Sequence, residues 1–337
     1  MKKIAEKGWI AYGIILLGIV VAIVAEKENK ITTKSIFAMD TYMELTACGR
    51  NSEKAIVAAE EEIYRLDALL STGNKASEVA ILNRDKKGEL SEDYAYLLKR
   101  SKEIWELTQG AFDITVAPLV HAWGFGKKTQ DPKAKEQDIN IDSLKALVGY
   151  EKIHLENHRI VKDNEHITLD ASAIAKGYAC DVVADLLRQN GCNNLLVDIG
   201  GEVVLQGVNQ KGEAWRVGIS RPKIDAMGME KELQEVIASN DLCMATSGNY
   251  LQYYFVDGQR RSHTIDPRTG RPVQHSLLSA TVIASSGMRA DALATACMVL
   301  GEAEAIEMIN HAEDAACYLI VAEHDTLRVA RSQRWPF

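Results

Sequence analysis

The chain has 337 residues, of which 47% are hydrophobic and 26% charged, with a net charge of −8. This is an ordinary globular balance, long enough for one large domain or two modest ones. An acidic chain with no basic block argues against a nucleic-acid partner.

In chain order, residues 1–7 are basic on balance, and residues 9–25 form an uncharged apolar run (WIAYGIILLGIVVAIVA) closed by Glu26-Lys27-Glu28. The run is at the short limit for a spanning helix and slightly long for a signal-peptide core. Its leading lysines favour a cytoplasmic start and an exported remainder. An uncleaved anchor and a signal peptide both fit; Ala25 suits a cleavage site, but Ile23 is poorly sized for one. No cysteine follows the run directly, which excludes lipid attachment there. The division expected is residues 1–30 as anchor or signal plus tether, and 31–337 as one folded domain. The expected location is the cell membrane, on its extracytoplasmic side.

Residues 35–47 alternate and are β-branched, predicting a strand. Ile56, Ala59, Ile63, Leu66 and Leu70 carry helical periodicity over residues 52–70. Helices are also predicted at 77–83 and 92–108, the second closed by Gly110. Residues 127–137 predict an exposed loop, and 141–147 a short helix. Short β-like pieces follow near Ile160 and Ile167. A helix over 174–189 stops at Gly191. Strands are predicted at 194–199, 203–208, 215–220, 233–238, 253–256 and 278–284, with a polar flap at 221–232. Helices at 290–300 and 303–312 precede a hairpin around His324-Asp325. Helices concentrated early and strands late predict an α+β fold with no regular βαβ alternation. The six cysteines have no zinc spacing and lie largely in apolar runs, so they read as buried thiols.

Several stretches are rich in Gly, small and polar residues. Residues 109–119 (QGAFDITVAPL) with Trp123-Gly124-Phe125-Gly126 suit a ligand rim or an aromatic turn. In residues 169–179 (LDASAIAKGYA) a strand end passes into a helix, where Asp170 or Ser172 can cap N–H groups. Such a helix start attracts phosphate, and Lys176 would reinforce it. The stretch lacks the glycines of a phosphate loop. Asp198-Ile199-Gly200-Gly201-Glu202 permits close backbone approach or a simple turn. Residues 245–250 (ATSGNY) precede Ser262-His263-Thr264-Ile265 and the turn-forming run 266–270 (DPRTG). His263 is a candidate base near neutral pH. Asp291 and Thr295 lie four residues apart, so one helix face presents a carboxylate and a hydroxyl. Hard oxygen donors at that spacing suit Mg²⁺, although a helix-start Asp beside a core Thr fits as well.

In order and spacing these stretches resemble the ApbE family of FAD:protein FMN transferases, from Met39-Asp40-Thr41 to about Val321. The segments STGNKASEVAILN (71–83), GAFDITVAPL, IAKGYA, IGGE, ATSGNY, HTIDPRTG and ADALATA carry the resemblance. It implies an α+β, T-fold-like architecture of antiparallel sheets with helices. By matching position, Met39, Ala111, Phe112, Asp113, Asp170, Lys176, His263 and Ile265 would line an FAD site. The Ala173 carbonyl, Asp291 and Thr295 would hold Mg²⁺. Two departures are Ala171-Ser172, where the family often has Gly-Gly, and Gly73, where many members carry an aromatic or Asn near the flavin.

The reaction implied is attack on the FMN-side phosphorus of FAD by a Ser or Thr hydroxyl of an exported protein, with AMP leaving. His263 is the expected base. The family's acceptors are subunits of Rnf-type and Na⁺-pumping NADH:quinone reductases with a D-x-x-[ST]-x-A-[ST]-like motif. A Mg²⁺-dependent FAD pyrophosphatase would use the same residues with water as acceptor. A non-catalytic FAD-binding protein would not need the base.

Overall fold

The computed structural model describes residues 30–125, 139–156, 158–222, 232–249, 253–256, 259–324 and 326–337. The apolar run 9–25, the loop at 127–137 and most of the 221–232 flap lie outside the described residues. No helix among the described residues is long and apolar enough to cross a membrane.

The predicted strand 35–47 is two strands, β1 (Ile31–Ala38) and β2 (Thr41–Cys48), paired antiparallel. Met39 and Asp40 close the hairpin with φ of 49° and 58°. Those left-handed angles are uncommon for residues other than Gly, so the sequence carried no turn signal there. Helix α1 (Ser52–Leu70) follows and buries the predicted face Ile56, Ala59, Ile63, Leu66 and Leu70. Helices α2 (Glu78–Arg84) and α3 (Glu92–Leu107) start at Ser77 and Ser91, whose side chains accept the Ala80 and Tyr94 N–H. Between them lies β3 (Lys87–Glu89), too short to show a pattern. It joins β5 (Arg159–Lys162), which in turn pairs with β4 (Ile153–Glu156), in a small antiparallel sheet. Ile167 lies outside any strand. Short helices α4 (Ala117–Ala122) and α5 (Ile141–Lys145) complete the first half.

The remaining strands are β6 (Asn194–Ile199), β7 (Glu202–Gln206), β8 (Trp215–Ser220), β9 (Leu233–Ser239), β10 (Asp241–Gly248), β11 (Tyr253–Val256), β12 (Gln259–Ser262), β13 (Ile265–Asp266), β14 (Arg271–Pro272), β15 (Leu277–Ile283), β16 (Ala316–Glu323) and β17 (Thr326–Arg331). An eight-stranded sheet runs in the order β1-β2-β6-β7-β10-β15-β16-β17. Each neighbouring pair is antiparallel. The observed architecture is therefore α+β with an antiparallel sheet, as expected.

Side-chain alternation divides the burial. Val204, Ala245, Cys317 and Leu319 join the main core beneath α1, α6 (Ala175–Gln189) and α7 (Gly287–Leu300). Their neighbours Val203, Leu205, Leu242, Met244 and Ile320 face the other way. They pack with Trp215, Ile219 and Ile237 of the β8–β9 hairpin. One sheet face thus carries helices and the other a hairpin. Helix α8 (Glu302–His311) leads into the last hairpin. All six cysteines are free thiols, five of them buried and Cys243 half-buried.

Lys162 is fully buried at the end of β5. Its ammonium donates to the carbonyls of Leu82 (2.8 Å), Ile167 (2.9 Å) and Glu165 (3.3 Å). Burial lowers its pKa from the ordinary lysine value. Beside it, Asn83 exchanges two hydrogen bonds with the Leu169 backbone, 2.8 and 2.6 Å. These contacts tie α2 to the segment that enters the candidate site at Asp170.

Candidate active site

A cavity of about 460 Å³ lies between α6, α7, the end of β10 and the loops at 111–120 and 263–267. Its lining includes Ala111, Phe112, Asp113, Asp170, Ala173, Lys176, His263, Ile265, Asp291 and Thr295. Four separate sequence stretches therefore meet on one space, of a size suited to a sizeable organic ligand. Met39 is not part of this lining. It sits in the β1–β2 turn and packs against the main core. Gly73 occupies an exposed turn after α1 and also lies off the lining.

The loop at 111–116 is locked from within. Asp113 Oδ1 accepts the Thr115 N–H (2.8 Å) and hydroxyl (2.6 Å), while Oδ2 accepts the Tyr150 N–H (3.1 Å). Burial outweighs these bonds and raises its pKa above the usual aspartate value. Asp113 lies at the cavity but holds the loop with both oxygens. The Asp170 N–H donates to the Ile114 carbonyl (2.7 Å), joining this loop to the next stretch.

Capping of α6 differs from expectation. Asp170 Oδ1 accepts the N–H (2.9 Å) and the hydroxyl of Ser172, so the two form a local turn. Neither caps the helix, whose Ncap Ile174 makes no side-chain cap bond. Asp291 supplies the cap instead, its Oδ2 accepting the Gly177 N–H at 3.0 Å. In return Asp181 of α6 accepts the N–H groups of Gly287 (2.7 Å) and Met288 (2.8 Å) at the start of α7. Each helix thus satisfies first-turn donors of the other.

The exchange needs close contact. A Cβ on Gly177 would lie 2.3 Å from the Gly287 carbonyl oxygen and 2.8 Å from Asp291 Cβ. Gly177→Ala is expected to cost about 1–3 kcal/mol of stability, the range for overpacking a tight contact. It should also displace Asp291, so the activity of this site should fall with the denaturation midpoint. An unchanged midpoint would show that the helices part without cost.

Helix α7 is apolar on nearly every side and buried, so a carboxylate within it is exceptional. Burial raises the Asp291 pKa, opposed by Lys176 and the Gly177 N–H. Lys176 forms an ion pair with Glu202. Burial lowers the Lys176 pKa, but Asp291 and Glu202 outweigh it and hold the ammonium above its usual range. Burial, then the Asp291 charge, pushes Glu202 up to about 8. Glu202 Oε2 is buried without a hydrogen-bond partner among the described residues. The sequence reading had absorbed Glu202 into a glycine turn. Its signal was a lone acid heading the apolar strand Val203-Val204-Leu205.

Thr295 lies one turn after Asp291, its hydroxyl 3.3 Å from Ser247 Oγ of β10. Ala173, Asp291 and Thr295 all line the cavity, and the expected donor set drawn from them is one carboxylate, one hydroxyl and one backbone carbonyl oxygen. That hard, oxygen-only set fits Mg²⁺, and the orphan Glu202 oxygen beside it marks a site whose polar groups are not all satisfied from within. No group of three or more His, Cys, Asp or Glu placed to hold a metal occurs among the described residues. The proposed donor set contains a single carboxylate and does not depend on such a group.

His263 follows β12, is half-buried and lines the same cavity. Its ring meets Phe125 edge-on, with centroids 6.4 Å apart. The Ser262 hydroxyl donates to the Thr264 carbonyl (3.4 Å). The 266–270 turn forms as expected: Asp266 accepts three N–H groups of Arg268 at 2.9–3.0 Å. Trp123 Nε1 donates to the Gly270 carbonyl (2.8 Å), and Trp123, Leu119, Val148 and Ile265 form a small core. That core joins the two loops carrying Phe112 and His263.

Comparison with known proteins agrees with this arrangement. The family model described as "ApbE family" matches residues 39–319. An FAD:protein FMN transferase of Vibrio cholerae is 36% identical over 271 residues, 80% of each chain. One from Haemophilus influenzae is 34% identical over 323 residues, 92% of each chain. The solved flavin transferase ApbE from Vibrio cholerae superposes with a TM-score of 0.80 at 31% identity, covering 90% of this chain and 97% of the other. With a cavity assembled from the expected stretches and a match along most of its length, this chain belongs to the ApbE family.

Proposed function

We propose that this protein transfers FMN from FAD to a Ser or Thr hydroxyl of an exported acceptor protein, releasing AMP, in a Mg²⁺-dependent reaction. The carrying observation is one cavity that gathers Asp291, Thr295, Lys176 and His263 in its lining. FAD binds there, with Ala111, Phe112, Asp170 and Ile265 as contacts; Met39, off the lining, is the member of the expected set with least support. The Ala173 carbonyl, Asp291 and Thr295 hold Mg²⁺, which when bound neutralises diphosphate charge. Lys176 adds a positive charge that Glu202 keeps in place. His263 accepts the proton of the acceptor hydroxyl as its oxygen bonds to the FMN phosphorus and the bond to the AMP oxygen breaks.

The acceptors proposed are flavin-bearing subunits of the Rnf or Na⁺-pumping NADH:quinone reductase type. Mass spectrometry of a co-expressed acceptor domain is expected to show a gain of one FMN. Free FMN and AMP with an unmodified acceptor would instead identify a pyrophosphatase.

Residues 1–30 are proposed to anchor or export the domain 31–337, which then works at the membrane on its extracytoplasmic side. The basic start followed by the apolar run 9–25 supports this. A reporter active only outside the cytoplasm, fused after Phe337, is expected to be active. Activity of a cytoplasm-only reporter at the same position would overturn it.

A further inference from the structure

We propose that the acceptor polypeptide enters as an added β-strand along β10, through a second cavity that adjoins the first; this rests on the transfer reading above. The ladder between β7 and β10 ends at Val203–Met244, because β7 turns into β6 through Gly201 and Gly200. The ladder between β10 and β15 continues from Met244–Ile283 to Gly248–Ser279. Residues 245–248 are therefore paired along one edge, and no strand among the described residues pairs along the other. Ala245 is fully buried, so the open part is residues 246–248, three residues spanning about 10 Å. An open edge is a template for pairing with another chain.

The open edge lies between two spaces. On the helix side Ser247 contacts Thr295 and lines the candidate active site. On the hairpin side is a second cavity of about 460 Å³, beneath β8, with Arg216, Ser220 and Asp198 in its walls. Thr246 and Gly248 line both cavities. A strand laid on this edge would pass from the second cavity into the first, directing alternate side chains to opposite sides. One such side chain can bring its hydroxyl toward the flavin phosphate. Gly200, Gly201, Gly218 and Gly248 also line the second cavity. Those walls let a backbone approach closely and select small residues around the hydroxyl. Recognition would rest largely on main-chain bonds, as suits a donor that must modify a flexible segment of another protein.

Hydrogen exchange gives the direct test. The probe is an acceptor domain carrying the D-x-x-[ST]-x-A-[ST] motif with Ala at the acceptor position, so it binds without reacting. Its addition to the full protein is expected to slow amide exchange at least tenfold at those amides of residues 246–248 that do not point toward β15. Unchanged exchange would overturn the proposal. Protection that appears on raising the concentration of the protein alone would also overturn it, by assigning the edge to a second copy. Separately, Ser220→Trp should raise the KM for the unaltered acceptor domain at least tenfold, with FAD affinity within twofold of wild type. An unchanged KM, or an equal loss of FAD affinity, would count against the acceptor path. Failure of the wild-type protein to modify the acceptor while it releases free FMN would instead remove the transfer reading, and this proposal with it.

Discussion

Asp291→Ala is expected to reduce Mg²⁺-dependent FMN transfer about 10³-fold, the scale of several kcal/mol supplied by a bound metal ion. The variant should remain folded, because α7 is held by apolar contacts along most of its surface. It will be less stable, since the Gly177 N–H loses its acceptor, a loss of about 1–3 kcal/mol for a buried group. Asp291 thus combines an observed capping contact with the proposed metal role, and one substitution cannot separate them. Asp291→Asn can. Its amide oxygen can still accept from Gly177 at the position now held by Oδ2, while the negative charge is gone. If the carboxylate binds the metal, Asn restores the denaturation midpoint without restoring transfer, and calorimetric Mg²⁺ binding in the presence of FAD is lost in both variants. Transfer regained by Asn would make Asp291 a helix cap alone and move the metal elsewhere.

The reciprocal caps also show how far sequence could lead. The Asp291/Thr295 spacing was legible because four residues make about one helical turn. The close approach at Gly177 was not, because the atoms that forbid a side chain there belong to Gly287, 110 positions away (287 − 177). Glu202 escaped notice for a similar reason. Its partner Lys176 lies on α6, and its unsatisfied oxygen is defined only once α6, α7 and β7 have packed. Local signals fared better. The apolar faces of α1 and α3 and the strands at 194–199 and 215–220 were readable from period alone. Strand β10 was passed over because its last residues, ATSG, read as ligand chemistry rather than as strand. Thr246, Ser247 and Gly248 belong to the sheet and also line the cavity. The β1–β2 turn was hidden by residues that rarely take left-handed angles.

His263→Ala is expected to lower the saturated transfer rate about 10²-fold or more, the usual scale for a lost general base. FAD affinity should fall far less. The cavity offers the flavin and its phosphates other contacts, from Phe112, Ile265 and Lys176, and none depends on the imidazole. The position supports this division of labour. His263 follows β12 and lines the same cavity as Asp291 and Thr295, so a phosphate held by the proposed metal set would share that space with the base. Phe125 meets its ring edge-on, while the Ser262 hydroxyl is bonded to Thr264. Ser262→Ala should therefore change transfer little, whereas Phe125→Ala should weaken it by loosening the ring. A histidine base also leaves a mark in the pH profile. A general base acts only when unprotonated, so the wild-type rate should show a limb that falls toward acid pH. His263→Ala should lose that acid limb along with the rate. Were the residue a flavin contact only, the opposite pattern would hold: weaker FAD binding, a nearly intact rate at saturating FAD and an unaltered pH profile. Measuring affinity, saturated rate and pH dependence on one variant distinguishes a group that moves a proton from a group that holds a ring.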